Sequence, residues 1–179
     1  MPVPSRLLTR ATVLAAIAAL VLATASCTPR PTPAQLDRIV HATSLPAFRA
    51  WWRAEHARAQ HVSAATVDRW LDREPARLDA ALARTGAWNL STDLCSFAPD
   101  RGPLFDFRFP CIRHDFAWRN LRRLQTRLGG HLESRSTRLA ASEQFLRDMQ
   151  ATCALRPAVQ RPGCRAVALA YFRAVSVVS

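Results

Sequence analysis

Four cysteines in the C-terminal half of this chain fall into two closely spaced pairs, and this pattern constrains the fold more than any other feature. Fifteen residues separate Cys95 from Cys111, and ten separate Cys153 from Cys164. The region after Gly86 is small for a self-sufficient hydrophobic core, so we expect two disulfides to stabilise it. Disulfides persist in oxidising compartments, so this expectation goes together with export from the cytosol.

Residues 1–26 have the pattern of a secretory signal peptide. Two arginines precede residues 11–23, a nearly continuous run of Ala, Val, Leu and Ile that is short for a membrane-spanning helix. A permanent N-terminal anchor helix is the alternative. Cys27 is left over when the other four cysteines pair, and the Ala-Ser-Cys sequence that it ends resembles the lipobox of bacterial lipoproteins. We therefore expect a protein that is either freely secreted or anchored to the cell envelope through a lipid on Cys27.

Beyond this segment the sequence predicts a Pro-rich tether followed by an all-α domain. Residues 27–34 contain three prolines, and we expect them to lie outside the core. Apolar residues then recur with helical spacing, except in residues 90–110, whose prolines and glycine indicate an irregular loop. Ser63 is a candidate N-cap for a helix before this loop. Two long helices are predicted at about 111–128 and 136–153. Gly129 is expected to end the first, and Leu139, Ser142 and Phe145 are expected to face inward on the second. A last helix ends the chain. No run alternates with period two for long enough to predict a sheet, so residues 35–179 are expected to form one helical domain.

The aromatic residues before this loop have the pattern of a structural core. Trp51, Trp52 and Trp70 have core spacing along the predicted helices. His56 and His61 lie on a polar helical stretch and are expected to face solvent, so we do not expect a zinc site there.

The residues from Asp93 to Asp115 carry the densest chemistry in the chain. His114 lies about one turn beyond Cys111, and Asp115 follows it, so the side chains of His114 and Asp115 point about 100° apart. His114 can then activate a water while Asp115 holds a cation. Calcium takes oxygen ligands from carboxylates, backbone carbonyls and water, and a disulfide from Cys95 to Cys111 would bring Asp93 near Asp115. The alternative is that both aspartates cap helices or pair with the abundant arginines.

These residues belong to a joint pattern that resembles the bacterial and fungal secreted phospholipase A2 family. The pattern consists of residues 91–95 (STDLC), 98–100 (APD), 111–116 (CIRHDF), 119–120 (RN), 145–149 (FLRDM) and 170–175 (AYFRAV), together with Cys153 and Cys164. The resemblance covers the chain from about Leu90 to its C-terminus. It implies a small helical domain stapled by disulfides, in which two long antiparallel helices carry the site. It also implies hydrolysis of the sn-2 ester of glycerophospholipids with one bound Ca²⁺.

Carried over position by position, the resemblance implies a role for each site residue. Asp93 and Asp115 would supply carboxylate ligands to calcium, and Leu94 would supply its backbone carbonyl. His114 would be the general base that activates the attacking water. The disulfides would be Cys95–Cys111 and Cys153–Cys164.

Three departures from the family pattern bear on activity. The aspartate that orients the histidine in the family is replaced by Ser142, which can accept a hydrogen bond but cannot offset the charge of an imidazolium. Loss of such a carboxylate can cost up to about four powers of ten in rate, and the neighbouring Glu143 is rotated by about 100°. Ala117–Trp118 replaces a usual glycine-tyrosine pair, and Leu104 replaces a usual glycine in the calcium loop. The alternative function is therefore a catalytically impaired protein of the cell envelope that binds lipid or calcium.

The charge of the chain favours an anionic partner. The net charge is +12, and all 25 basic residues are arginine. Such a charge attracts nucleic acid or anionic membrane surfaces. Because the chain is predicted to be exported and has no recognised nucleic-acid motif, we expect a phospholipid membrane or micelle surface as the partner, no nucleic acid, and a monomer.

Overall fold

The computed structural model describes residues 30–73, 87–96 and 98–177. The predicted signal peptide, Cys27 and the first part of the predicted tether lie outside these residues. None of the described helices is both long enough and apolar enough to span a membrane.

Helices with hydroxyl caps precede the site. α1 covers Pro33–Asp37 and continues as the π-helical turn Arg38–Ala42, α2 covers Leu45–Gln60, and α3 covers Ala64–Arg73. Thr32, Ser44 and Ser63 each accept a hydrogen bond from the backbone N–H three residues further on, which satisfies one free donor of the first turn. The cap at Ser63 is the one that the sequence indicates.

α1 begins inside the segment expected to be a tether. Thr32 and Gln35 form a capping box, and Pro33 occupies the first turn, where its missing N–H requires no partner. Pro31 is buried, and its carbonyl accepts a hydrogen bond from Arg127. The helical part of the chain therefore starts two residues before the expected boundary.

The region predicted to be an irregular loop contains a small hairpin and the first turn of α4. β1 (Arg101–Gly102) pairs antiparallel with β2 (Phe105–Asp106), strands too short for a sequence pattern to reveal. α4 covers Arg108–Leu128 and begins three residues before the predicted start. Pro110 is compatible with this earlier start because it lies in the first helical turn. Gly129, with a φ of 73°, ends α4 as predicted.

Two further helices complete the domain and carry the other half of the site. α5 covers Arg135–Ala154, a single 3₁₀ turn covers Ala158–Gln160, and α6 covers Arg161–Val177. Near the start of α4, Arg113 forms an ion pair with Asp148 of α5. Further along α4, Arg122 approaches Glu133, which precedes α5. The partners on the α5 side run in the opposite order, so α4 and α5 are antiparallel, as expected.

Two buried clusters fix α4 in place, because each contains residues from this helix. The first joins α4 to the N-terminal helices and includes Phe48, Trp52, Val67, Ile112 and Phe116. The second includes Phe107, Phe145, Met149, Ala168 and the four paired cysteines. Both expected disulfides, Cys95–Cys111 and Cys153–Cys164, are present. The expected all-α domain stapled by disulfides is thus confirmed.

His56 is buried, and the prediction that it faces solvent is wrong. Its side chain is 0% exposed, and its ring centroid lies 4.7 Å from that of Trp52 and 6.0 Å from that of Trp70. Because His56 follows Trp52 by four residues, both side chains lie on the same side of α2. Neither ring nitrogen has a hydrogen-bond partner within the described part of the chain, and burial lowers the pKa of His56 to about 4. His61 is exposed, as predicted.

Candidate active site

The loop that carries Asp93 is held against α4 at both ends. At its beginning, Asn120 Nδ2 donates to the carbonyl of Asn89 at 2.8 Å, and the N–H of Asn89 donates to Asn120 Oδ1 at 2.8 Å. At its other end, Cys95 is bonded to Cys111, and the N–H of Cys95 donates to Asp100 Oδ1 at 2.8 Å.

Asp115 binds the middle of this loop through one carboxylate oxygen. Thr92 Oγ1 donates to Asp115 Oδ2 at 2.6 Å, and the backbone N–H of Asp93 donates to the same oxygen at 3.1 Å. The N–H of Leu94 in turn donates to Thr92 Oγ1 at 2.9 Å. The loop that contains Asp93 and Leu94 therefore lies directly against Asp115.

Leu94 has an unusual backbone conformation. Its φ is 60°, in the left-handed region, and its side chain is only 2% exposed. A non-glycine residue in this region costs on the order of 1–3 kcal/mol and persists only where its surroundings impose it. The carbonyl of Leu94 accepts the N–H of Ser96 at 3.1 Å. The disulfide and the bonds of Thr92 therefore hold the Leu94 backbone in one conformation.

One arginine contacts both aspartates. Arg119 Nη2 forms an ion pair with Asp93 Oδ1 and lies 3.8 Å from Asp115 Oδ2. Arg119 Nη1 donates to Ser91 Oγ at 2.6 Å. The alternative that both aspartates pair with an arginine is thus confirmed as a contact, and it brings the two carboxylates to the same guanidinium.

The environment moves the pKa values of the two aspartates apart. Burial raises the pKa of Asp115 to about 8; the charge of Asp93 acts in the same direction, and the hydrogen bond from Thr92 opposes it. Burial also raises the pKa of Asp93, but its hydrogen bonds with Ser96 and Asp115 and the charge of Arg119 outweigh this effect, so its pKa lies below the usual value. The two pKa values are therefore shifted in opposite directions, and the carboxyl of Asp115 is the one that burial drives toward its neutral form.

His114 packs against aromatic rings of α4 and α5. Its ring centroid lies 5.9 Å from that of Trp118 and 4.9 Å from that of Phe145. Trp118 Nε1 donates a hydrogen bond to His114 Nε2 at 2.9 Å. Burial lowers the pKa of His114 to about 4, so the imidazole is neutral at neutral pH. A neutral imidazole can accept a proton, as a general base must.

Ser142 occupies the buried face of α5, as the helical phase predicts. It is 0% exposed, and it shares this face with Phe145, whose ring contacts His114. Glu143, the neighbouring carboxylate, is exposed. Leu139, which the apolar pattern places inside, is 42% exposed.

Leu104 packs against α6. A Cβ atom at Gly163 would lie 2.9 Å from Leu104 Cδ1, so glycine allows this close approach without a shift of the Leu104 side chain. The departure from the family pattern at Leu104 is therefore accommodated by a glycine of α6.

Sequence reasoning assigned no role to three residues that position the site. Arg119 follows Asp115 by four residues, a helical spacing at which such pairs meet, so the signal was present. Thr92 directly precedes Asp93, but its bond to Asp115 depends on how the loop folds back. The contact between Asn120 and Asn89 spans 31 residues, and no local pattern indicates it.

A cavity of about 630 Å³ lies beside α4 and is also bounded by α1 and α5. Its mainly apolar lining includes Leu36, Val40, Leu121 and Leu132, and its polar residues include His41 and Arg147. Ala117 of α4 also lines the cavity, and it follows His114 by three residues, which is nearly one helical turn. His114 itself is not among the residues that line the cavity.

Comparison with known proteins agrees with the family resemblance of the residues around the site. A model of the prokaryotic phospholipase A2 family matches residues 60–179, more than half of the chain. This stretch contains the Asp93 loop, α4, α5 and α6. A search of curated proteins finds no match.

Proposed function

Because the chain belongs to the prokaryotic phospholipase A2 family, we propose that it hydrolyses the sn-2 ester of glycerophospholipids with His114 as the general base. One observation carries this proposal: within the stretch that matches the family model, His114 lies on α4 next in sequence to Asp115, the residue that holds the Asp93 loop. A histidine at this position can accept a proton from water, and burial, which lowers its pKa to about 4, keeps the imidazole neutral but makes it a weaker base than an unperturbed histidine.

The proposed reaction needs only one proton acceptor on the protein. As the water oxygen bonds to the ester carbonyl carbon, its proton passes to His114. When the bond from the carbonyl carbon to the glycerol oxygen breaks, His114 returns that proton to the leaving oxygen. Fatty acid and lysophospholipid are released, and the imidazole is neutral again.

The residues of the Asp93 loop fit a calcium ion. Calcium binds about six to eight oxygen atoms, and Asp93 and Asp115 bring two carboxylates to one place beside Arg119. Leu94 would add its carbonyl. No group of three or more His, Cys, Asp or Glu side chains suited to a metal occurs among the described residues, so carbonyl and water oxygens would complete the ligand set. When bound, the cation would polarise the ester carbonyl and stabilise the oxyanion.

The cavity beside α4 is suited to an acyl chain of the substrate. Ligand sites are mainly apolar with a few polar groups, and this cavity combines an apolar wall with His41 and Arg147. Ala117 lines the cavity and follows His114 by three residues on α4, which supports this role.

The turn between α5 and α6 fits the surface of an anionic membrane. Leu155 and Val159 are 87% and 86% exposed. Residues 149–179 contain arginines and no acidic residue. Exposed apolar side chains can enter the headgroup region while arginines bind lipid phosphates. This combination supports a lipid surface as the partner.

The two disulfides fit a protein that works in an oxidising compartment. We propose that it is secreted as a monomer, with anchoring through a lipid on Cys27 as the alternative. The mass of the mature N-terminal peptide distinguishes these locations, and sedimentation velocity tests the monomer.

A binding protein without turnover is the second candidate, and Ser142 is the observation that favours it. A serine cannot offset the positive charge that forms on His114 when it accepts a proton. In this second function the Asp93 loop would still bind calcium and the cavity would still bind lipid.

Release of fatty acid from phosphatidylcholine vesicles tests the proposal. We expect release with Ca²⁺, none with EGTA, and none from His114→Gln. Glu143→Gln, an exposed position beside Ser142, is the matched control and should retain the natural rate. Calcium binding without release in the natural protein would instead support the binding function.

A further inference from the structure

The hydrogen bond from Trp118 to His114 has a direction that chemistry determines. The indole N–H can only donate, so Nε2 of His114 must be the acceptor and cannot carry a proton. A neutral imidazole has one protonated and one unprotonated nitrogen. The proton of the neutral His114 ring is therefore on Nδ1.

This arrangement leaves neither nitrogen ready to accept a proton from water. If Nε2 is the base, the indole N–H occupies the position that the proton of the water requires. If Nδ1 is the base, the ring proton must first move to Nε2, where it would face the indole N–H as a second donor. In both cases the bond between Trp118 and His114 must break before water can be activated.

We infer that Trp118 is a positioning residue that holds His114 in a resting state and must move away before hydrolysis. This inference rests on the proposed role of His114 as the base. Trp118 follows His114 by four residues, about one turn of α4, so the local geometry of the helix is enough to bring the indole N–H to the imidazole. Breaking one hydrogen bond also costs little net free energy, and substrate binding can supply that free energy.

The surroundings of Trp118 support a defined resting position. The side chain is partly buried, and Arg138 of α5 places its guanidinium carbon 6.0 Å from the centroid of the indole ring. A cation at this distance is attracted to the face of the ring. The indole is therefore held from two sides, by His114 at its N–H and by Arg138 over its ring.

The position of the ring proton can be measured directly. Long-range ¹H–¹⁵N correlation spectra of the disulfide-bonded protein at neutral pH distinguish the two tautomers of each of the five histidines. The spectrum of His114→Gln identifies the signals of His114. We expect the Nδ1–H tautomer in the natural protein and a shift toward the Nε2–H tautomer in Trp118→Phe. An unchanged tautomer in Trp118→Phe would overturn the inference.

The rate of hydrolysis tests the second half of the inference. Since one net hydrogen bond no longer has to break, Trp118→Phe should release fatty acid roughly two- to ten-fold faster than the natural protein. Trp88→Phe is the matched control, because Trp88 packs against Phe116 of the same helix, with the ring centroids 5.5 Å apart. Its rate and the tautomer of His114 should not change.

The outcomes separate this inference from the proposed function. A folded Trp118→Phe protein with a lower rate would overturn the resting-state role, because Trp118 would then assist the reaction. If neither the natural protein nor Trp118→Phe releases fatty acid, the proposed function fails, and the tautomer alone decides whether Trp118 fixes the state of His114.

Discussion

Replacing His56 should remove one defined contribution to the acid sensitivity of this fold. His56 is 0% exposed, and burial lowers its pKa from 6.5 to about 4. In the unfolded chain the imidazole takes up a proton near pH 6.5, whereas in the folded protein it stays neutral down to about pH 4. Between these values the unfolded state binds more protons, so the free energy of unfolding falls as the pH falls.

The size of the effect follows from the same two pKa values. Each pKa unit corresponds to about 1.4 kcal/mol, which gives a loss of about 2 kcal/mol between pH 7 and pH 5 and about 3 kcal/mol at pH 4. In His56→Phe this contribution disappears, because phenylalanine fills the space beside Trp52 and Trp70 without titrating. The stability of this variant should therefore decrease less on acidification by about 2 kcal/mol at pH 5.

Urea denaturation at pH 7 and pH 5, with the disulfides intact, measures this difference. For the natural protein, His56→Phe and His131→Gln, the free energy of unfolding is measured at both pH values. The change in this free energy between pH 7 and pH 5 is then compared among the three proteins. His131 is exposed, so its replacement is the matched control and should behave like the natural protein. Equal pH dependence in His56→Phe and the natural protein would refute the reasoning.

The remaining predictions concern the ion pair, the base and the lipid surface. Arg113→Met should lower the free energy of unfolding by about 3–5 kcal/mol, because it leaves the buried carboxylate of Asp148 without its ion-pair partner. Arg123→Met, at an exposed position, is the control, and equal urea midpoints for the two variants would contradict this prediction. Ser142→Asp should raise the rate of fatty-acid release, since a carboxylate can offset the imidazolium charge. An unchanged or lower rate in a folded protein would contradict the assignment of Ser142 to the position of the family's orienting aspartate. Leu155→Ser combined with Val159→Ser should weaken flotation with anionic vesicles about ten-fold or more, whereas retained binding would place the lipid contact elsewhere.

Helix type and disulfide pairing could be predicted because they depend on local signals. The 3.6-residue apolar pattern, the cap at Ser63 and the glycine after α4 are all readable in a few consecutive residues. Cysteine spacing, together with the family pattern, was enough for Cys95–Cys111 and Cys153–Cys164. The prediction that Ser142 and Phe145 lie on the inner face of α5 was correct.

What could not be predicted depends on contacts between distant parts of the chain. His56 looks polar beside its neighbours in sequence, but Trp70 of another helix helps to cover it. Asn120 meets Asn89 across 31 residues, and the guanidinium of Arg113 donates to the carbonyl of Thr43 across 70. Periodicity predicts which face of a helix is buried, but it carries no information about which polar group of another segment that face will contact.

The departures at Ser142 and Trp118 act on His114 in the same direction. A carboxylate near an imidazole favours the protonated form, and a serine does not. A hydrogen bond donated to the unprotonated nitrogen favours the neutral form, and burial also lowers the pKa of His114. The site therefore stabilises a neutral histidine and gives little support to the imidazolium that forms during hydrolysis. Each substitution removes one of these two effects and leaves the other in place, so Ser142→Asp and Trp118→Phe combined should raise the rate by about the product of their separate effects. A clear departure from this product would show that the two positions are coupled through His114.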